Sequence, residues 1–143
     1  MGSTYQSIVI DLAPQRVWDA IRDFHDMSWT PNVITSLETV GDRKGDEIGA
    51  RRVLNGVFHE TLRELDDAGH TFSYSIDEAP SPICSTEISD YVGRVAVKAS
   101  PDGAGSMVEW SSSWQNNDEA GYEFLHPIYM ALLGDMKASL EEA

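Results

Sequence analysis

Apolar and polar residues alternate from residue 3 to residue 11, with Tyr5, Ser7 and Val9 in one phase and Gln6, Ile8 and Ile10 in the other. A period of two predicts a strand. At Ala13-Pro14 the period lengthens. Proline fits the first turn of a helix, and Val17, Trp18, Ile21 and Phe24 then recur as an apolar stripe. A second short helical turn is expected around residues 25–29, ending before Pro31, because the residue preceding proline is pushed out of helical geometry.

From Val33 to Gln115 the pattern is strands and turns. Asn55-Gly56 separates two strand-like runs and is a strong hairpin signal, because both central positions of a tight two-residue turn need positive φ. Asp66-Asp67-Ala68-Gly69 reads as a turn joining strand 57–65 to strand 70–78, and Ser100-Pro101-Asp102-Gly103 as another before strand 106–115. The chain ends in helical period, with Asn116-Asn117 as caps, two acidic residues in the first turn and an apolar face through Tyr122, Leu125 or His126, Tyr129, Leu132 or Leu133, Met136 and Leu140. Pro127 predicts a kink or a break in that helix. The layout is α+β: strand, two short helices, six strands in an antiparallel meander, long helix, all in a single domain over residues 1–143.

Composition narrows the function classes. Ten Lys and Arg against 24 Asp and Glu leave a net charge of −14, a surface that repels phosphate backbones and anionic headgroups and argues against nucleic-acid and membrane-surface roles. The one cysteine, Cys84, excludes an internal disulfide and has no basic neighbour in sequence to activate it. With no long apolar run, no secretory leader pattern and no myristoylation pattern after Gly2, the expectation is a cytoplasmic protein.

Alternate residues of a strand share a face, so the apolar phase marks the interior. Phe72, Tyr74 and Ile76 share one, Tyr91, Gly93, Val95 and Val97 another, Val108, Trp110, Ser112 and Trp114 a third. On strand 57–65 the phase of Phe58 and Leu62 also holds Glu60, a carboxylate on the apolar face. A two-residue loop at Asn55-Gly56 sets Arg51 opposite Glu60; a three-residue loop sets Arg52 there instead. Such a pair fixes sheet register, or it sits in a cavity and anchors a ligand's polar end.

These landmarks resemble the Bet v 1/START-like (SRPBCC) superfamily, and within it the bacterial polyketide cyclase/dehydrase-like, MxaD-like branch. The resemblance is carried by Val17-Trp18 with Asp23-Phe24, Trp29-Thr30-Pro31, Gly49 with Arg51-Arg52, Glu60-Thr61-Leu62, Leu65-Asp66-Asp67, Tyr74-Ser75-Ile76, Ala79-Pro80-Ser81-Pro82, Asp90-Tyr91-Val92, Val108-Glu109-Trp110-Ser111 and Ile128-Tyr129. It implies a helix-grip fold, a curved seven-stranded antiparallel sheet wrapped around the C-terminal helix over an internal cavity, with the inward Arg and Glu belonging to that cavity. Family spacing favours Arg52, the short hairpin Arg51. The connection from Asp77 to Asp90 is longer than the family usually has and reads as a lid over the cavity mouth or as a strand extension past it.

The expected function is binding of a small, mostly apolar, aromatic or polyketide-like molecule, its polar group held by Arg51 or Arg52 and Glu60. The expected wall is Phe58, Phe72, Tyr74, Tyr91, Trp110, Tyr122, His126 and Tyr129. The alternative is a cofactor-independent polyketide cyclase/dehydratase in which Glu60, Arg51 and His126 move protons for aldol closure and water loss. His59 is expected outside, since strand neighbours face opposite ways, and His25 and His70 at solvated ends. Four scattered histidines show no metal-ligand spacing, so neither metal nor cofactor is expected. A homodimer is compatible with this reading.

Overall fold

The computed structural model describes residues 1–142. Nine elements follow in chain order: β1 (Gly2–Ile10), α1 (Pro14–Ile21), β2 (Leu37–Val40), β3 (Arg51–Leu54), β4 (Phe58–Asp66), β5 (Thr71–Glu78), β6 (Ser89–Ala99), β7 (Ser106–Gln115) and α2 (Asp118–Glu142). The seven strands form one antiparallel sheet in the order β1-β7-β6-β5-β4-β3-β2. Only the β1–β7 pairing joins strands distant in sequence, and it places the chain's first strand beside its last.

The inner face of the sheet carries the phases read from the sequence. Phe72 and Tyr74 of β5, Tyr91, Val95 and Val97 of β6, and Val108, Trp110 and Trp114 of β7 are all buried. α1 turns Val17, Trp18 and Ile21 onto this layer, and α2 adds Leu125, Tyr129, Leu132, Leu133, Met136 and Leu140. Tyr74 lies flat over Gly93, its register partner on β6, and a Cβ at position 93 would meet the ring at 2.3 Å. Glycine is required there by close approach alone.

Three expectations give way. The segment 25–29 is a run of turns rather than a second helix, with bonds such as Thr30 N–H to the Met27 carbonyl that are not continued into helical repeats. α2 runs through Pro127 as one element. Proline removes one internal hydrogen bond, but Pro127 is exposed, and the buried side chains before and after it hold both halves of the helix to the core. The β3–β4 loop holds three residues: Asn55 and Gly56 have the expected positive φ of 52° and 71°, yet Leu54 pairs with Phe58 rather than Val57. Asn55 is occupied elsewhere, its Oδ1 accepting from the backbone of Thr35 and Ser36 and its Nδ2 donating to the Val33 carbonyl.

The long connection after β5 is neither an open lid nor a strand extension. Ala79, Ile83 and Ile88 are buried in the core, Glu78 accepts from the amide and hydroxyl of Ser85, and Asn117 donates to the Pro82 carbonyl. It leaves β5 where the sheet splits: β5 pairs with β6 only over Thr71–Tyr74.

Candidate functional site

The three-residue loop settles which arginine turns inward. Arg52 faces Glu60 across β3 and β4, whereas Arg51 pairs with Thr61 and is exposed, so Arg51 has no place in an internal site. Arg52 Nε and Nη2 both reach Glu60 Oε1, at 2.8 and 2.7 Å, and the two side chains are only 3% and 7% exposed. Arg52 Nη1 donates to the Phe24 carbonyl at 3.0 Å and approaches Met27 Sδ at 3.3 Å. The guanidinium also lies 3.7 Å over the Phe24 ring, a cation–π contact that offsets some of its lost hydration. Burial pushes the Glu60 carboxyl above its ordinary 4.5, with Arg52 pulling the other way and Asp77 adding to the rise.

The pair lines a hollow beneath α2. Met27, Ile34, Leu54, Phe58 and Ile76 wall it with Leu125, Ile128 and Leu132 of the helix, and Tyr74, Trp110 and Tyr129 complete it, the Tyr74 ring 5.7 Å from the Arg52 guanidinium. Here a short polar chain runs: Trp110 Nε1 donates to the Tyr74 hydroxyl at 2.9 Å, and Tyr74 and Tyr129 share a hydroxyl–hydroxyl bond of 3.1 Å. Burial, then the negative charge of Glu60, raises the Tyr74 hydroxyl far above its ordinary value, so it stays protonated.

The hollow is small. Its volume of about 30 Å³ has room for roughly two waters and for no organic guest in this closed form. Met27 and Ile34 are the shared wall between it and an open surface groove of about 530 Å³ along residues 25–37. Ile76 likewise separates it from a depression of about 430 Å³ at the β5–β6 seam.

Of the residues singled out in the sequence, Arg52, Phe58, Glu60, Tyr74, Trp110 and Tyr129 converge on this hollow. Phe72 and Tyr91 are buried beyond its wall, Phe72 among Trp18, Phe24 and Tyr74, and Tyr91 stacked on Trp114 with an unpartnered hydroxyl. Tyr122 and His126 are corrections. Tyr122 is 43% exposed near the start of α2, and His126 sits on the flank of the helix with Nδ1 bonded to Gln6 Oε1 at 2.9 Å, stacked on Tyr122. His126 therefore cannot act as an acid or base in the hollow. His25 and His70 are half-buried, bonded to the Arg51 carbonyl and stacked on Trp18 respectively, while His59 is exposed as expected.

Sequence reasoning missed Met27 and Ile34, which belong to an irregular segment with no period to show which way they point. Among the described residues no three His, Cys, Asp or Glu converge on a point where a metal ion could be held. No helix of the structure is long and apolar enough to cross a membrane.

One antiparallel sheet closing on a long C-terminal helix, with a polar pair set inside the grip, is the Bet v 1-like helix-grip architecture. The family model described as polyketide cyclase/dehydrase and lipid transport matches residues 1–141, and the chain belongs to that family. It is similar to a protein of Nitrosospira multiformis, at 40% identity over 96% of this chain and 95% of that one, with a TM-score of 0.92. XoxI of Bacillus cereus is 26% identical over 98% and 96% of the two chains, with a TM-score of 0.80. The fold extends to Ara h 8.0201, at 14% identity over 99% and 98% and a TM-score of 0.75. Family and fold together imply binding of hydrophobic ligands.

Proposed function

We propose that the protein binds a small, mostly apolar molecule between the sheet and α2, with Arg52 and Glu60 meeting its polar end and Phe58, Tyr74, Trp110 and Tyr129 its body. The observation that carries this reading is an ion pair 3% and 7% exposed in the lining of a mostly apolar hollow. A buried pair is often no more stabilising than well-packed apolar side chains, so its presence beside a hollow favours recognition over stability. The small closed volume makes binding conditional on movement of the wall. Native mass spectrometry of protein purified from its own host should show a co-purifying compound. Apo protein throughout, together with no shift of tryptophan fluorescence on adding aromatic ketones, would overturn the reading.

A second reading, a cyclase/dehydratase on the same hollow, is favoured by Glu60 alone. A carboxyl lifted by burial is a better base, and the Tyr129 hydroxyl lines the same hollow as a donor to a carbonyl. A catalyst would lose turnover of a poly-β-carbonyl chain on Glu60→Gln while still binding it; a binder has no turnover to lose.

A further inference from the structure

The charges inside the hollow are already balanced. Arg52 and Glu60 share the one buried pair there, so a guest bringing a carboxylate would add an uncompensated charge where neither partner is more than 7% exposed. The protein's net charge of −14 opposes an anion as well. What the hollow does offer is hydrogen bonding. Tyr74 and Tyr129 have two hydroxyl protons between them and spend one on their mutual bond, while Tyr74 already accepts from Trp110. One tyrosine proton therefore remains beyond that bond, and a guest oxygen competes for it only with the neighbouring Tyr91 hydroxyl.

The cation has a spare position too. Arg52 Nη1 is met on one side by the Phe24 carbonyl and on the other by Met27 Sδ at 3.3 Å. A thioether is a weak acceptor, and a carbonyl oxygen in its place makes the stronger bond. Met27 is also an unbranched, adaptable side chain in a segment of turns, and it stands between the hollow and the open groove along residues 25–37. Swinging it outward opens the hollow and exposes the donor in one movement.

We propose that the guest is an uncharged molecule bearing a carbonyl-type oxygen, which enters from the groove by displacing Met27 and takes the position of its sulfur on Arg52. This rests on the reading of the hollow as a ligand site.

The test compares acetophenone with benzoate, alike in shape and different in charge, by isothermal titration of the intact protein at neutral pH. Salt at about 0.5 M shortens the Debye length to roughly 4 Å and removes the long-range field of the surface. Acetophenone should bind at least about tenfold more tightly than benzoate, and it should shift the methyl resonance of isotopically labelled Met27. Equal or tighter binding of benzoate overturns the inference and leaves the hollow as a ligand site. Binding of acetophenone with an unmoved Met27 methyl overturns the displacement. Failure of both compounds to bind up to their solubility removes the ligand site itself. Glu60→Gln, close to isosteric, leaves Arg52 without its anion, and the preference should swing toward benzoate by about tenfold or more. An unchanged ratio in a folded Glu60→Gln protein also overturns the inference. Should that variant not fold, the wild-type ratio and the Met27 resonance still decide.

Discussion

Two arginine–carboxylate pairs sit at opposite depths of this protein. At the rim, Arg22 forks onto Asp67, Nε to Oδ1 at 2.7 Å and Nη2 to Oδ2 at 3.0 Å, with Trp18 Nε1 adding a third bond at 2.9 Å. Inside, Arg52 brings Nε and Nη2 to a single oxygen of Glu60. The rim pair is 29% and 57% exposed, the inner pair 3% and 7%. Hydrogen bonds from Arg22 and Trp18 lower the Asp67 carboxyl below its ordinary 3.8, whereas burial raises Glu60 above 4.5 in spite of its cation. Depth, more than partnership, sets the sign. A pair in water favours the charged carboxylate; a pair out of water only partly compensates the loss of hydration.

The sharpest way to break this contrast is to remove the inner cation. Arg52→Met should cost about 3–5 kcal/mol in urea unfolding, because it strands a buried carboxylate. The double change Arg52→Met with Glu60→Leu should recover most of that loss, since an apolar pair of similar bulk is often as stable as the ions it replaces.

Acid and base should then pull the two sites in opposite directions. Glu60 has a folded value above its unfolded one, so between the two values the native state binds the extra proton and stability falls as pH rises through that window, which opens near 4.5. Asp67 is the reverse: its contribution is complete above its unfolded value near 3.8 and is lost as pH falls through its lower folded value. Stability measured against pH should lose the first slope in Glu60→Gln and the second in Asp67→Asn. A wild-type slope of opposite sign in the Glu60 window would mean that Arg52 outweighs burial. The smallest effect belongs to the rim itself. Asp67→Asn should cost no more than about 1 kcal/mol at neutral pH and less in high salt, because exposed pairs are screened.

Much of this was legible before the structure. Alternation identified the strands and their inner faces, and the turn residues at 55–56, 66–69 and 100–103 fell between strands as read. The inward carboxylate at Glu60 was visible from phase alone. Its partner was legible only as a choice, family spacing pointing to Arg52 and the hairpin pattern to Arg51, because a single extra loop residue, Val57, shifts the register and exchanges one for the other. That register follows Asn55, which clasps Thr35 and Ser36 far away in sequence, a contact no local pattern encodes. Helical period placed Tyr122 and His126 near the right face but could not show that Tyr122 lies on the exposed flank of the helix, stacked on His126, nor that Gln6 holds His126 there. Met27 and Ile34 escaped for a related reason: without regular structure, direction depends on the fold around a residue rather than on its neighbours in the chain.

The seam between β5 and β6 has its own consequence. From Ser75 to Glu78 the β5 backbone has a sheet neighbour on the β4 side only, and the other flank borders the depression lined by Ser75, Ile76, Asp77, Asp90 and Tyr91. Such a patch yields at lower free energy than a continuous ladder. In heavy water, amides along this border should exchange before those of β7, and a guest seated against Ile76 should slow them, making deuterium uptake at the seam a gauge of occupancy that requires no knowledge of the ligand.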